Sequence, residues 1–179
     1  MHDITHYIQT YDIDLPEGFL CKLKELYEET MTYAKIGGPT GKGIVQSKVR
    51  HCFTIKIDNN ELCEELYKQI DGCLRKYQEI FPELSIQSNE AGYIFLKYTN
   101  GCYYKEHIDQ ATNMIQRTLT IIIVLNDEYE GGELAFFHGT YVLSLKKNTL
   151  IIFPSNFMFP HQIFEITNGI RYSIVTWVY

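Results

Sequence analysis

Long hydrophobic runs are absent from this sequence of 179 residues. The longest, Leu119 to Leu125, is interrupted by Thr120 and is too short to cross a bilayer as a helix. The N-terminal stretch MHDITHYIQTYDIDL lacks the basic and apolar segments of a signal peptide. Both absences predict a soluble intracellular protein with no membrane association.

Cysteine is sparse and is not arranged for cross-linking. The five cysteines are odd in number and form no C-x-x-C pair; they are Cys21, Cys52, Cys63, Cys73 and Cys102. This usage argues against a disulfide framework and against a structural zinc cluster. It favours reduced thiols, and therefore predicts a cytoplasmic protein.

Positive charge is also in short supply, with 16 Lys and Arg against 22 Asp and Glu and a net charge of -6. That balance argues against a domain that mainly grips nucleic-acid phosphates, so no nucleic-acid partner is expected. Hydrophobic residues make up 45% and aromatic residues 14% of the chain, as in a folded domain rich in β structure. The length predicts a single domain over residues 1–179. Nothing in the sequence indicates the oligomeric state.

The first half of the chain has helical periodicity. One helix is predicted from Phe19 to Ala34, and a second from Glu61 to Ile80, with Asn60 as its N-cap and Pro82 beyond its end. The inward face of the second helix is predicted to comprise Leu62, Leu66, Ile70, Cys73, Leu74 and Tyr77. Between the helices, the glycine-rich loop 36–43 does not match a phosphate-binding loop, and we interpret it as a flexible loop or substrate lid.

After Glu90 the pattern changes to short β-rich runs separated by turn residues. The runs are AGYIFLKY, RTLTIIIVL, ELAFF, TYVLSL, TLIIF and IRYSIVTWVY. Gly131 and Gly132 are predicted to form the turn of a hairpin. Closely spaced strands predict an antiparallel barrel or sandwich, and the preceding helices predict an α+β fold in which they cover one face. In this scheme residues 1–90 supply helical support and a substrate loop, and residues 91–179 supply the barrel.

Three residues have the chemistry of a metal site. His107 and Asp109 stand two apart, so in an extended segment both side chains point to the same side. His161 follows a predicted strand. Two histidines and one carboxylate can occupy one face of an octahedral Fe(II) and leave open positions for a cosubstrate and dioxygen. An isolated H-x-D is a weak signal, because such a pair is more often two solvated surface residues.

The last predicted strand adds a stronger signal. Alternation places Arg171, Ser173, Val175 and Trp177 on one face and a more apolar set on the other. If the first face points into the barrel, the Arg171 guanidinium is enclosed and needs an anionic partner, such as a carboxylate ligand. Pairing with Glu133 or Glu165 at the barrel mouth is the alternative.

From Tyr98 onward the residues resemble the Fe(II)/2-oxoglutarate dioxygenases, and among them the prolyl 4-hydroxylase-like group. The segment YTNGCYYKEHID is similar to that group's Y-x-x-G-x-x-[YF]-x-x-H-x-D pattern. RTLT, VLNDEYEGGEL, LKKNTLIIFP and RYSIVTW follow in the family's order and spacing. Val124 departs from the tyrosine that many relatives carry before the Leu-Asn pair, and Trp177 stands where nucleic-acid repair members have a basic residue.

The resemblance implies a double-stranded β-helix, or jelly-roll, and a set of site residues. His107, Asp109 and His161 would bind Fe(II). Arg171 would bind the distal carboxylate of 2-oxoglutarate. Other residues would line the site, with Tyr98, Thr120 and Ser173 near the cosubstrate and Tyr104, Arg117 and Trp177 near the substrate.

The activity implied is hydroxylation of a C–H bond with dioxygen, giving succinate and CO2, with ascorbate as a candidate reductant. A prolyl or other peptidyl residue is the expected substrate. A free amino acid or other small molecule is the alternative, and a non-catalytic barrel that binds metal or ligand is an alternative of another class. His138 is interpreted as a loop residue and not as a further ligand. His2, His6 and His51 have no ligand spacing, and Glu133 is interpreted as structural or as lying at the mouth of the site.

Overall fold

The computed structural model describes residues 3–37, 43–86, 92–110 and 116–179. These residues form two α-helices, α1 (Phe19–Tyr27) and α2 (Asn60–Ile80), and fourteen strands. The strands are β1 (Gln9–Asp12), β2 (Thr32–Tyr33), β3 (Arg50–His51), β4 (Phe53–Ile57), β5 (Tyr93–Tyr98), β6 (Tyr103–His107), β7 (Leu119–Val124), β8 (Tyr129–Gly131), β9 (Leu134–Phe136), β10 (Tyr141–Leu143), β11 (Thr149–Pro154), β12 (His161–Ile163), β13 (Ile166–Gly169) and β14 (Arg171–Val178). Neither helix is long and apolar enough to span a membrane.

The longer helix, α2, follows from its sequence pattern. Every residue predicted to face inward is buried. The N-cap is Asn59, one residue earlier than predicted, because its side chain accepts a hydrogen bond from the backbone N–H of Leu62 at 3.1 Å. The helix ends at Ile80, before Pro82, as predicted.

The first helix is shorter than predicted. It ends at Tyr27 and passes through a 3-10 turn, Glu28–Thr30, into β2, so the predicted extension to Ala34 is wrong. The Tyr27 hydroxyl anchors this end by donating to Asp58 Oδ1 at 2.8 Å. Beyond it, the segment Thr32–Tyr33 has residues that favour strands, and pairing with β4 replaces helical hydrogen bonds.

Two antiparallel sheets face each other. The larger has the order β1-β11-β7-β14-β5-β4-β2, and the smaller has the order β10-β9-β12-β6-β3. Strand β8 pairs with β13 in a separate two-stranded ribbon. The expectation of an antiparallel sandwich with helices on one face is therefore confirmed.

Strand β14 lies at the centre of the larger sheet and divides the core in two. Tyr172, Ile174 and Val178 belong to the hydrophobic cluster that contains the buried faces of α1 and α2. Val175 and Trp177 belong to the cluster between the two sheets. The predicted alternation of β14 is confirmed, and one of its faces points into the space where the site lies.

The N-terminal half contributes more than helical support, which corrects the expected division at residue 90. Strand β1 forms an edge of the larger sheet beside β11, and β4 pairs with β5 near the other edge. Strand β3 joins the smaller sheet by pairing with β6. The chain crosses from one sheet to the other at Cys52, which is fully buried. Of the predicted lid 36–43, residues 38–42 lie outside the described residues.

The Gly131–Gly132 pair does not close a hairpin between its flanking strands, because β8 pairs with β13 while β9 pairs with β10 and β12. Both glycines have positive φ, 75° and 70°. A Cβ on Gly131 would lie 2.1 Å from the carbonyl oxygen of Glu165. The pair therefore permits a close approach between chain segments, which only glycine allows here.

Candidate metal centre and active site

The strands of the smaller sheet bring the two histidines together. His107 is the last residue of β6 and His161 is the first residue of β12, and the two are paired in register. Their ring centroids are 4.3 Å apart. Asp109 lies just beyond β6, with Oδ1 3.5 Å from His107 Nε2 and Oδ2 3.7 Å from His161 Nε2. One ligand atom from each residue lies within 4.8 Å of the others, so the three can hold one metal ion.

Backbone carbonyls fix both imidazoles in the form that binds metal. His107 Nδ1 lies 2.9 Å from the carbonyl oxygen of Lys105, and His161 Nδ1 lies 3.1 Å from that of Phe159. Because a carbonyl oxygen can only accept, each Nδ1 carries the proton. Each Nε2 therefore presents a lone pair toward Asp109, which is the arrangement of metal-binding histidines.

The charges of the cluster also suit a cation. Burial lowers the pKa of His161 to about 4, so this imidazole is neutral at neutral pH. Burial alone would raise the pKa of Asp109, but its contacts with His107 and His161 hold that pKa well below its usual range. The cluster thus offers two imidazole nitrogens and one carboxylate to a cation.

A second layer of contacts holds Asp109. Its Oδ2 accepts hydrogen bonds from Thr120 Oγ1 and from Trp177 Nε1, both at 2.9 Å. Arg117 donates to the backbone carbonyl of Asp109 at 3.1 Å, and its guanidinium lies 3.6 Å from the centre of the Trp177 ring. The hydroxyl of Ser155 lies 2.8 Å from that of Thr120. These contacts fix the carboxylate and leave Oδ1 turned toward His107.

Arg171 is buried beside the metal cluster without an acidic partner. It is 2% exposed, and its Nη1 donates to Ser173 Oγ at 2.9 Å. Its guanidinium lies 5.5 Å from the centre of the Tyr98 ring, and its Nε has no hydrogen-bond partner. Within the described residues no carboxylate pairs with it, so pairing with Glu133 or Glu165 is not observed.

One cavity of about 870 Å³ between the sheets joins these groups. His107, Asp109 and His161 line it together with Arg171, so a molecule in the cavity can contact the metal position and the guanidinium at once. An uncompensated buried cation is costly, and a carboxylate ligand supplies both the charge and the hydrogen-bond acceptors it needs. The residues present therefore fit both Fe(II) and a dicarboxylate such as 2-oxoglutarate.

A known family matches the C-terminal part of the chain. A sequence profile described as the 2OG-Fe(II) oxygenase superfamily matches residues 93–179, the segment that carries the three candidate ligands and Arg171. This segment of the chain is therefore similar to the 2OG-Fe(II) oxygenase superfamily.

Curated relatives of this chain are named PKHD-type hydroxylases. One from Prochlorococcus marinus is 30% identical over 151 residues, which is 79% of this chain and 64% of the relative. Another, from Parvibaculum lavamentivorans, is 28% identical over 133 residues, which is 68% of this chain and 59% of the relative. The chain therefore spans only part of the length of the curated relatives it matches.

Solved prolyl hydroxylases share the fold of this chain. A prolyl-4-hydroxylase of Pseudomonas putida superposes with a TM-score of 0.75 at 19% identity, covering 97% of this chain and 92% of the other. A prolyl hydroxylase of Trichoplax adhaerens, in complex with a hypoxia inducible factor peptide fragment, also gives 0.75 at 19% identity, with coverage of 98% and 84%. The expected jelly-roll with helices on one face is thus confirmed.

Most of the predicted site residues come together, with one exception. Tyr98, Tyr104, Arg117, Ser173 and Trp177 line the cavity with the metal cluster. Thr120 does not line it, because its hydroxyl is engaged by Asp109 and Ser155. Its predicted contact with the cosubstrate is therefore corrected to a hydrogen bond with the carboxylate of Asp109.

The other candidate histidines lie elsewhere. His138 is 80% exposed along its side chain and pairs with Glu106 at 2.6 Å, so it is a loop residue as interpreted from the sequence. His51 stacks on Tyr33 and contacts the carbonyl of Gly101. His6 packs edge-on against Phe81, and His2 lies outside the described residues.

Two contributors to the site were missed by the sequence analysis. Ser155 follows the β-rich run TLIIF, and its buried hydroxyl reaches Thr120. Arg50 lines the cavity from β3. Alternation along VRHCFTIKI, which places Arg50, Cys52, Thr54 and Lys56 on one face, was the signal that could have found it.

Proposed function

We propose that this chain is an Fe(II)- and 2-oxoglutarate-dependent hydroxylase that acts on a prolyl or other peptidyl residue. The observation that carries the proposal is the shared cavity, where three ligand atoms within 4.8 Å of one another stand beside the buried Arg171. A non-catalytic barrel would not need a metal position and an unpaired guanidinium in the same enclosed space.

In this reaction, bound Fe(II) with 2-oxoglutarate and dioxygen supplies the power to oxidise a C–H bond, yielding succinate and CO2. His107, Asp109 and His161 would hold the metal. Arg171 and Ser173 would orient the cosubstrate by holding its distal carboxylate, with the phenol of Tyr98 beside them. Tyr104 packs flat against His107, with ring centroids 3.5 Å apart, and limits the space open to substrate.

The proposal of a peptidyl substrate is supported by the names of the proteins that share this fold. Two fold relatives are prolyl hydroxylases, one of them solved with a peptide fragment. The cavity volume of about 870 Å³ also falls within the range of small-molecule sites, so a free amino acid is the competing substrate. A cytoplasmic location stays a prediction. It agrees with five cysteines that are all free.

The metal and cosubstrate sites can be tested by absorption spectroscopy. Under anaerobic conditions, Fe(II) and 2-oxoglutarate together give the weak visible charge-transfer band of the chelate in the wild-type protein. Asp109→Ala abolishes the band, because one of three ligands is lost. Asp71→Ala, the same change on the exposed surface of α2, leaves it intact.

Arg171→Gln tests the second half of the site. It retains the band but raises the 2-oxoglutarate concentration needed for half of it by roughly 10- to 100-fold, since a charge-assisted bidentate contact is lost. Absence of the band in wild type, or an unchanged band in Asp109→Ala, contradicts the proposed site.

Substrate class is tested by succinate release. Wild-type protein with Fe(II) and 2-oxoglutarate is offered proline-containing peptides in one set of reactions and free amino acids in another. The proposal expects peptide-dependent succinate and a peptide heavier by one oxygen atom, with Asp109→Ala as the background. Turnover with free amino acids alone would assign the small-molecule alternative instead.

A further inference from the structure

A second arginine in the cavity lacks an acidic partner. Arg50, on β3, lines the same space as the metal cluster, and its buried Nε has no hydrogen-bond partner. Its guanidinium lies 4.5 Å from the centre of the Tyr104 ring, on the strand that ends in His107. Among the described residues no carboxylate pairs with it. The Tyr104 ring thus lies between Arg50 and His107, a proposed metal ligand. No acidic side chain among the described residues compensates the charge of Arg50.

The neighbours of Arg50 cannot neutralise it. Burial raises the pKa of Tyr104 to about 12 and holds the pKa of Tyr98 well above its ordinary value. Burial likewise raises the pKa of the Cys52 thiol. All three groups are therefore neutral at neutral pH and provide only a ring face or a weak hydrogen bond. A desolvated guanidinium with such neighbours needs an external anion to compensate its charge.

The charged side chains that line the cavity are also mostly positive. Five basic residues line it, namely Lys35, Arg50, Lys56, Arg117 and Arg171, whereas Asp109 is the one acidic residue among its described lining. The chain itself carries a net charge of -6, so this concentration of positive charge opposes the overall composition. Asp109 is committed to the metal position and Arg171 to the cosubstrate. The other basic side chains therefore present positive charge to a substrate that enters the cavity.

We propose that Arg50 binds a carboxylate of the substrate, so that the site selects an acidic substrate over its neutral counterpart. The proposal rests on the proposed function for the identity of the cavity as the substrate site. The carboxylate can belong to an Asp or Glu side chain or to a free C-terminus. The planar fork of arginine favours a bidentate contact with either source.

The experiment uses matched probe peptides and the chain's own fluorescence. Trp177 is the single tryptophan and lines the cavity, so its emission reports binding without any metal. One pair of probes is acetyl-Gly-Pro-Gly with a free or an amidated C-terminus. The other is acetyl-Gly-Pro-Asp-amide and acetyl-Gly-Pro-Asn-amide. Each pair isolates one source of the carboxylate.

Wild-type protein should bind the acid of at least one pair roughly 10- to 100-fold more tightly than its neutral partner, which is the range for a charge-assisted contact. Arg50→Gln should bring that ratio close to one, and Arg50→Lys should leave an intermediate ratio because the charge remains without the fork. Arg75→Gln removes the same charge from the exposed surface of α2 and should keep the wild-type ratio. The pair that shows the preference identifies the source.

Two results would overturn the proposal. One is a wild-type protein that binds acids no better than their neutral partners, or binds neither. The other is an acid preference that survives in Arg50→Gln. The anaerobic band of Fe(II) and 2-oxoglutarate separates this failure from failure of the proposed function. If the band forms in Arg50→Gln, the fold and cosubstrate site are intact and the probe ratios judge Arg50 alone. If Arg50→Gln does not fold, the ratio in Arg50→Lys decides.

Discussion

Removing the Thr120 hydroxyl should weaken metal binding although Thr120 is not a ligand. In Thr120→Val the side chain keeps its shape but no longer donates to Asp109 Oδ2. Trp177 continues to donate to the same oxygen at 2.9 Å. The carboxylate therefore loses one of two neutral donors and is held less firmly in its metal-binding orientation.

The size of the effect follows from these contacts. A hydrogen bond to a charged group contributes about 1.5–3 kcal/mol, and loss of a contact behind a metal ligand typically costs about 10- to 100-fold in metal affinity. Because Trp177 remains, we expect the lower end of that range, about 10-fold, for Thr120→Val. The double variant Thr120→Val with Trp177→Phe should lose more than the product of the two single effects, since the oxygen is then left without either donor.

The assay is anaerobic competition between the protein and a chromophoric chelator for Fe(II), with Co(II) as an air-stable substitute. Thr176→Val is the matched control. Thr176 is also a buried strand threonine, 1% exposed, but its hydroxyl bonds the carbonyl of Gly92 at 2.9 Å, away from the metal ligands. Each variant should lose about 1 kcal/mol of unfolding free energy with its hydrogen bond. Only Thr120→Val should lose metal affinity.

Equal metal affinity in Thr120→Val and wild type would refute this reasoning, because it would mean that Asp109 keeps its orientation without the hydroxyl. An equal loss in both variants would also refute it, since the effect would then come from general destabilisation of the sheet.

Two further predictions concern stability. Because the pKa of His161 is lowered to about 4 from 6.5, the unfolded metal-free chain binds a proton between these pH values that the folded chain does not. The unfolding free energy of the metal-free chain should therefore fall as the pH drops from about 6.5 to about 4. Measured by urea unfolding, the unfolding free energy of His161→Gln should depend less on pH in this range. An equal pH dependence in both proteins would argue against a buried neutral imidazole. Gly132→Ala would place a Cβ 2.3 Å from Ile166 Cδ1 and 3.2 Å from Arg171 Cδ at a φ of +70°. Because the added methyl group is strained at this φ and collides with Ile166, the variant should lose about 2 kcal/mol or more of unfolding free energy. It should also weaken 2-oxoglutarate binding, because Arg171 is displaced. Gly72→Ala, within α2 and with nothing within 4 Å of the added Cβ, should instead stabilise by about 0.5–1 kcal/mol in thermal unfolding, and a similar loss in both alanine variants would contradict the steric account.

Local periodicity was enough to predict the features that depend on one segment alone. The inward face of α2 and the two faces of β14 repeat over many residues, so each is specified several times. The H-x-D spacing alone was a weak signal, and His107, Asp109 and His161 were grouped by the resemblance of several ordered motifs to a known family. Alternation on β14 then placed Arg171 in the enclosed space.

Features that depend on distant partners were not predictable from such patterns. Strand β12 has three residues and exists because β6 and β9 pair with it on either side. The end of α1 depends on the hydrogen bond between Tyr27 and Asp58. Thr120 was assigned to the cosubstrate because a strand pattern gives the face of a side chain and not the acceptor its hydroxyl reaches. The orientation of Arg50 depends on the crossing between sheets at Cys52.

The residue proposed to select the substrate lies at the sheet crossing near Cys52, apart from the segment that carries the proposed metal and cosubstrate residues. The family profile covers residues 93–179, which carry the metal ligands and Arg171, whereas Arg50 precedes it on the segment that passes from one sheet to the other. If the chain is the hydroxylase proposed above, substitutions along this short segment would change the charge and shape of the cavity without altering the residues proposed to bind the metal. Substrate preference would then depend on residues that lie outside the segment matched by the family profile.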